Sequence, residues 1–193
     1  MNTPVDSKMR NRNRGMLIAL FALFFGAMFI AGMLRFSGWR PAGMKNHGEL
    51  LQPPSDLRTL VPKLADGRDY RWSPIERTWR IAAIPGDCEG DQAAEACERL
   101  LTQLDTVRKL MGKDTERVHL LWIGTLPAAG PRPPALRVLQ PSTALRAGLP
   151  RSDDPQGTAV YVLDPNGFVV LRYAPGFDPG GLRTDLARLL KIN

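Results

Sequence analysis

The chain has 193 residues, of which 44% are hydrophobic and 23% charged, and its formal net charge is +7. This length allows one domain of ordinary size plus an appendage. The charge is unevenly spread, because residues 1–56 carry seven basic and three acidic side chains and the rest carry nineteen and sixteen. A nearly balanced domain has no basic stripe for DNA or RNA, so we expect no nucleic acid as a partner.

The first predicted element is an apolar segment, MLIALFALFFGAMFIAGML, at residues 16–34. As a helix with about 1.5 Å rise per residue it spans roughly 28 Å, close to the roughly 30 Å of a bilayer core. A cleaved signal peptide would have a shorter apolar region and small residues at its cleavage site, and AGMLRFSGW is a poor site. We therefore predict an uncleaved transmembrane helix over residues 15–36. The basic tail, residues 1–14, would stay in the cytoplasm.

The next segment, SGWRPAGMKNHGELLQPPSD at residues 37–56, is rich in Gly and Pro and has no apolar period. This composition predicts a linker between the membrane and a domain at residues 57–193. His47 lies in this segment, and we expect a lone histidine in a linker to be solvated. The domain begins with an Asp66-Gly67 turn between two short extended runs, which indicates a hairpin.

A strand, a helix and a second strand follow. TWRIAAI, at 78–84, is typical of a short buried strand, and RVHLLWI, at 117–123, predicts a strand buried on both faces. The helix between them is predicted to begin with Asp91 as its N-cap and to end at Gly112. Its apolar positions recur at the helical period and are Ala93, Cys97, Leu100, Leu101, Leu104, Val107 and Met111.

Prolines interrupt residues 125–157, which we predict to be mostly irregular apart from a short helix over Ser142 to Leu149. The runs TAVYVL and FVVLRYA flank DPNG and indicate a β-hairpin. A final helix follows Asp178, its predicted cap. The element order predicts an α/β chain with a thioredoxin-like fold, in which helices flank a central mixed sheet, preceded by one N-terminal transmembrane helix.

Both cysteines, Cys88 and Cys97, fall at the first strand-to-helix corner, where a helix N-terminus favours a reactive thiolate. Eight residues separate them, and the carboxylates of Asp87, Glu89 and Asp91 would disfavour a thiolate. A redox couple, a pair of metal ligands, a structural disulfide and two unpaired thiols all remain open. A disulfide suits the oxidising compartment outside the cytoplasm.

The anchor, the cysteine segment RIAAIPGDCEGDQAAEACERLL and the hairpin AVYVLDPNGFVVLRYAPG resemble small membrane-anchored thioredoxin-like proteins of bacteria. Such proteins are often encoded with cytochrome c oxidase assembly factors and are related to the Sco/SenC copper chaperones. The resemblance covers roughly residues 57–193. It implies an accessory protein of oxidase assembly in the bacterial inner membrane, with its domain in the periplasm and oxidase subunits or assembly factors as partners.

The wide cysteine spacing and the acidic loop depart from the family pattern and favour an accessory role that is non-catalytic or weakly redox-active. The alternative that the resemblance implies is a thiol–disulfide oxidoreductase, or a Cu(I) transfer protein, that uses Cys88 and Cys97. Sco proteins hold copper with a Cys-x-x-x-Cys pair and a histidine before the hairpin strand, a position that here falls at Gln156-Gly157. We expect His119 to be a core or surface residue. Two thiolates can bind Cu(I), whereas zinc, which takes four ligands, is not expected.

Overall fold

The computed structural model describes residues 4–37, 46–72 and 76–192, in two compact units, Met1–Lys45 and Asn46–Asn193. The elements in chain order are α1 (Pro4–Phe36), β1 (Glu49–Asp56), β2 (Trp79–Ala83), α2 (Asp91–Lys109), a 3₁₀ helix (Gly112–Arg117), β3 (Val118–Ile123), β4 (Leu136–Leu139), α3 (Thr143–Ala147), β5 (Val160–Leu163), β6 (Phe168–Tyr173) and α4 (Pro179–Ile192).

Helix α1 contains the predicted anchor and continues into the basic tail. Its segment Asn11–Phe36 has a mean hydropathy of 2.5 and is long and apolar enough, by length and composition, to cross a membrane. Large side chains such as Phe24 and Phe29 are 67% and 74% exposed. Transfer of such a helix into an apolar medium is favourable in free energy, because its exposed apolar surface is then removed from water.

The second unit is built on a six-stranded mixed sheet with the order β1-β6-β5-β2-β3-β4. Strands β2, β3 and β4 are parallel, whereas β2–β5, β5–β6 and β6–β1 pair antiparallel. Ile81 lies opposite Leu120 on one side and Val162 on the other. Helix α2 supplies the crossover that the parallel β2–β3 pair requires. The predicted mixed sheet with flanking helices is confirmed.

Alternation along the strands divides the core into two layers. Ile81, Leu120 and Val162 face α2 and α4 in one hydrophobic cluster, which also holds both cysteines. Residues of the opposite parity pack in a second cluster with Leu145 and Leu149 of the α3 region. The parity of a strand residue therefore decides which layer its side chain enters.

The DPNG hairpin is confirmed, and its turn is held by Asp164. The Oδ1 atom of Asp164 accepts hydrogen bonds from the backbone N–H groups of Asn166, Gly167 and Phe168 at 3.0, 2.8 and 2.7 Å. Gly167 has a φ of 106°, and a Cβ atom there would lie 2.9 Å from the Trp72 ring. A side chain at this position would therefore be strained as well as crowded.

Two strands lie where the sequence predicts none. Residues 49–56 of the predicted linker form β1, the edge strand beside β6, while residues 38–45 lie outside the described part of the chain. An edge strand tolerates Pro53 and Pro54 because its outer N–H groups need no partner. Strand β4 lies in the proline-interrupted segment and pairs with β3 over only four residues.

The predicted N-cap of α2 is wrong by one residue. Gly90, with a φ of 83°, is the cap, and no side chain bonds the first turn. Asp91 is the first helical residue, and its negative charge there still interacts favourably with the positive end of the helix dipole. The helix ends at Lys109, and Gly112, at a φ of 60°, begins the 3₁₀ helix. The predicted short helix α3, which Ser142 caps, is confirmed. The predicted cap of α4 is confirmed as well, because the Asp178 carboxylate accepts hydrogen bonds from the N–H groups of Gly180 and Gly181.

Candidate functional site: a disulfide beside a cleft

A disulfide joins Cys88, in the loop after β2, to Cys97, in the second turn of α2, with Cα atoms 5.9 Å apart. That separation falls within the range that a disulfide requires. The alternative of two unpaired thiols is therefore wrong for this structure. Both residues belong to the core layer beneath α2 and are only 6% and 7% exposed.

Cys97 also lines a cleft of about 490 Å³. One wall is the face of α2 that carries Ala93, Cys97 and Leu100. The opposite wall consists of Gln156–Thr158, before β5, and Pro175–Phe177, after β6. The resemblance places a copper-binding histidine at Gln156-Gly157, and this position does line the same cleft as Cys97. In this chain it presents a side-chain amide and a glycine to the cleft.

Three carboxylates lie close to Cys88 in sequence. Asp87 lines the cleft, and Asp87, Glu89 and Asp91 are all exposed. We call these three residues the rim. Within the described residues, none of the three forms a salt bridge. Carboxylates beside the disulfide oppose formation of a thiolate at Cys88, whereas the N-terminus of α2 favours one.

His119 lies on the other side of the sheet from the disulfide. It has the strand parity of Leu121 and Ile123, and its Nδ1 atom is 3.2 Å from the Tyr70 hydroxyl in that second layer. Burial, together with the charges of Arg137, Arg80 and Arg108, lowers the pKa of His119 to about 4. The imidazole is therefore neutral near pH 7, and the intervening sheet keeps it from the cysteines.

Arg80 explains how this second layer holds polar groups that the sequence pattern did not predict. The guanidinium is 1% exposed and donates to the Tyr70 hydroxyl at 2.9 Å. Its Nη1 atom donates to the carbonyl oxygens of Thr78, Asp164 and Pro165 at 2.8, 3.0 and 2.9 Å. Because its bonds go to backbone carbonyls of the strand ends, we assign Arg80 a structural role.

A cluster of polar residues behind the cleft was not predicted either. The carboxylate of Asp185, on α4, accepts hydrogen bonds from the N–H groups of His47 and Gly48 at 2.6 and 3.0 Å, and from the Tyr173 hydroxyl at 2.8 Å. We call these four residues the clasp. Predicted to be a solvated linker residue, His47 is half-exposed, and its Nδ1 atom lies 3.2 Å from Asp185.

The charge state of the clasp follows from these contacts. Burial alone would raise the pKa of Asp185, but hydrogen bonds from Gly48, Tyr173 and His47 outweigh it and lower that pKa. Burial and the bond to Asp185 raise the pKa of Tyr173. The ring of Tyr173 packs 5.7 Å from that of Phe177, which lines the cleft. The clasp therefore supports one wall of the cleft.

The described residues do not fit a resident copper ion. The two sulfurs are bonded to each other, and within the described residues no group of three His, Cys, Asp or Glu side chains is placed to hold a metal. Reduction would free two thiolates, which are suitable Cu(I) ligands. His119 cannot join them from the opposite layer.

Comparisons with known proteins agree with this architecture. Residues 83–193, more than half of the chain, match the family described as transmembrane-like, thioredoxin-like, C-terminal domain. No curated protein was found to match the chain.

Several solved structures are similar. BsSco, described as a member of the Sco family of cytochrome c oxidase assembly proteins with a disulfide switch, is 12% identical over 80% of this chain and 100% of its own, with a TM-score of 0.51. Trgpx in its apo form is 8% identical over 70% and 95%, with a TM-score of 0.51. Yeast Sco1 with copper bound is 14% identical over 78% and 96%, with a TM-score of 0.48.

At identities this low, the structural likeness shows a shared fold and nothing more, and that fold is the predicted thioredoxin-like one. The family match begins at the last residue of β2 and includes both cysteines, the cleft and the hairpin. The chain belongs to the transmembrane-like, thioredoxin-like family.

Proposed function

We propose that this chain is a membrane-anchored accessory protein of respiratory cytochrome c oxidase assembly that works by thiol–disulfide exchange at Cys88 and Cys97. Helix α1 would hold it in the bacterial inner membrane, with the domain in the periplasm. The likeness of its fold to BsSco, an assembly protein with a disulfide switch, supports this proposal.

One observation carries the chemical part of the proposal. The disulfide is not fully enclosed, because Cys97 lines a cleft of about 490 Å³. A disulfide at the first strand-to-helix corner, next to a cleft, has the access that exchange requires. Burial elsewhere restricts attack to that side.

Cys97, and not Cys88, is among the described residues that line the cleft, so we place the first attack on Cys97. A partner thiolate attacks Sγ of Cys97, a mixed disulfide forms, and the electron pair of the broken S–S bond leaves on Cys88 as a thiolate. A second thiol of the partner then attacks the partner's own sulfur in the mixed disulfide and releases Cys97. Two electrons pass from the partner dithiol, which becomes a disulfide, to Cys88 and Cys97.

A second candidate has its own supporting observation. Exposures of 6% and 7% suit a structural disulfide, and the protein would then act by contact with membrane partners alone. The reduction potential of the pair separates the two candidates. A value below about −300 mV, typical of structural disulfides, would contradict the exchange proposal.

The experiment in cells replaces both cysteines by serine in the native host and measures cytochrome c oxidase activity, with deletion of the whole gene as the comparison. Exchange predicts that the double variant loses as much oxidase activity as the deletion. Full activity in the variant, with loss in the deletion, would favour contact alone. Full activity in both would contradict a role in oxidase assembly.

The proposed topology has a separate test. A reporter that is active only in the periplasm, fused after Asn193, should be active, whereas the same reporter fused ahead of α1 should be silent. Activity of a cytoplasm-specific reporter at Asn193 would contradict the proposed orientation.

A further inference from the structure

The cleft beside Cys97 has an unbalanced charge. Asp87 is the one charged residue among the described residues that line it, and the others are small, apolar or uncharged polar side chains. Glu89 and Asp91, one and three positions after Cys88, are exposed and add two further negative charges close to the disulfide in sequence. Because Asp87 and Glu89 directly flank Cys88 in sequence, both lie within one Debye length, about 8 Å at physiological salt, of the disulfide.

The rim differs from much of the acidic surface of this domain. Asp56, Asp66 and Asp153 are also exposed, but each forms a salt bridge with an arginine. Such pairing cancels most of the field that a carboxylate sends into solvent. The three rim carboxylates have no such partner among the described residues, so their charge remains available to a molecule that approaches Cys97.

The N-terminus of α2 opposes the rim but is too weak to cancel it. Its macrodipole is equivalent to roughly half a positive charge, against three negative charges on Asp87, Glu89 and Asp91. The combined charge of the rim and the α2 N-terminus is therefore negative. It attracts cations and repels anions, and it acts on the approach to the disulfide rather than on folding.

We propose that the cleft selects a cationic partner segment, one that carries Lys or Arg within a few residues of its reactive cysteine, and disfavours anionic thiols. This inference rests on the proposed exchange at Cys88 and Cys97 and names the class of partner that the site accepts. The opposite wall, which includes the uncharged amide of Gln156 and the ring of Phe177, adds no positive charge to the cleft.

The test uses the full chain in micelles of an uncharged detergent and three small thiols: cysteamine, which is cationic, 2-mercaptoethanol, which is neutral, and 2-mercaptoethanesulfonate, which is anionic. The rate at which each reduces the Cys88–Cys97 disulfide is divided by its rate with a neutral model disulfide, which corrects for intrinsic reactivity. At low ionic strength we expect cysteamine to react roughly tenfold faster than the sulfonate. This preference should disappear at about 1 M salt.

The variant Asp87→Asn/Glu89→Gln/Asp91→Asn should lose the preference. A matched control, Asp56→Asn/Asp66→Asn/Asp153→Asn, changes the net charge by the same amount away from the cleft and should keep it. Equal rates for the three thiols, or equal loss in both triple variants, would overturn the inference.

A second measurement separates this inference from the exchange proposal. Fluorescence anisotropy compares labelled Gly-Lys-Ser-Lys-Gly with Gly-Glu-Ser-Glu-Gly, neither of which can exchange. Tighter binding of the lysine peptide, lost in the rim variant, supports the cationic partner whether or not any thiol reduces the disulfide. If no thiol reduces the disulfide, the exchange proposal is contradicted but the cationic preference is not. Equal binding of the two peptides would reject the cationic partner.

Discussion

The carboxylate of Asp185, in the last helix, accepts a 2.6 Å hydrogen bond from the backbone N–H of His47, which lies 138 positions earlier in the chain. The same carboxylate bonds Gly48 and Tyr173 and is only 2% exposed. The first residues of the domain are thereby fixed to its last helix. A buried carboxylate is favourable only when hydrogen bonds replace water in this way.

Asp185→Asn should destabilise residues 46–193 by about 2–3 kcal/mol, because the neutral amide loses charge-assisted bonds and presents N–H groups to donors. Urea unfolding followed by tryptophan fluorescence measures the change. Tyr173→Phe removes one bond only and should cost about 1 kcal/mol. Equal stability of wild type and Asp185→Asn would contradict the structural role of the clasp.

Acid should reduce the difference between wild type and Asp185→Asn. The folded-state pKa of Asp185 is lowered, so the stability it contributes is present above its unfolded pKa, about 4. That contribution is lost as the pH falls through the lower folded pKa. The difference in unfolding free energy between the two proteins should therefore become smaller from pH 7 to pH 4 and smaller again at pH 3. A constant difference would show that the charge of Asp185 is not responsible.

Gly48→Ala should also loosen the clasp, because the added Cβ atom would lie 2.6 Å from Cζ of the Tyr173 ring. We expect a loss of about 1–3 kcal/mol, typical of overpacking. Gly86→Ala is the matched control, since nothing lies within 4 Å of its added Cβ atom. If the two variants unfold at the same urea concentration, the contact between Gly48 and Tyr173 is not tight in solution.

The sequence was sufficient for elements whose pattern is local. The hairpin follows from DPNG between alternating runs, and α2 follows from the helical spacing of residues such as Leu101 and Leu104. Strand β1 was missed because Pro53 and Pro54 argue against a strand unless one knows that it lies at an edge.

The candidate site was predicted only in part, for a similar reason. The corner position of the cysteines followed from element order, but the pairing was left open because no local pattern fixes the distance between two sulfurs. The clasp depends on a contact between residues 47 and 185, which no sequence period encodes. The layer that holds His119 was decidable only once the register with the neighbouring strand was known.

His119 should make stability depend on pH between about 4 and 6.5. Its folded pKa is lowered to about 4, whereas an unfolded histidine titrates near 6.5. In this window the unfolded chain binds more protons, so stability falls as the pH falls, by at most about 1.4 kcal/mol per pH unit. His119→Gln should flatten this part of the profile. An unchanged slope would contradict burial of the imidazole in the Tyr70 layer.

Loss of the disulfide should destabilise the domain without unfolding it. Cys88 and Cys97 are separated by nine positions, and closing a loop of this length in the unfolded chain is worth about 2–3 kcal/mol in the chain-entropy treatment. Urea unfolding of Cys88→Ser/Cys97→Ser measures the loss. Wild type held in a strong reductant is the control and should match the variant. A variant as stable as the oxidised protein would mean that the bond contributes nothing to the fold.

Cu(I) binding should require reduction of the Cys88–Cys97 disulfide and should not depend on His119. Only the reduced chain offers two thiolates, and the imidazole of His119 lies in the layer on the other side of the sheet. Titration with Cu(I) against a competing chelator should therefore show no uptake by oxidised protein and at most one ion per reduced chain. His119→Ala, when reduced, should bind Cu(I) as the reduced wild type does, whereas Cys97→Ser should not bind it. A tenfold loss of Cu(I) affinity in His119→Ala would mean that the imidazole reaches the cysteines, and the assignment of His119 to the second layer would then be wrong.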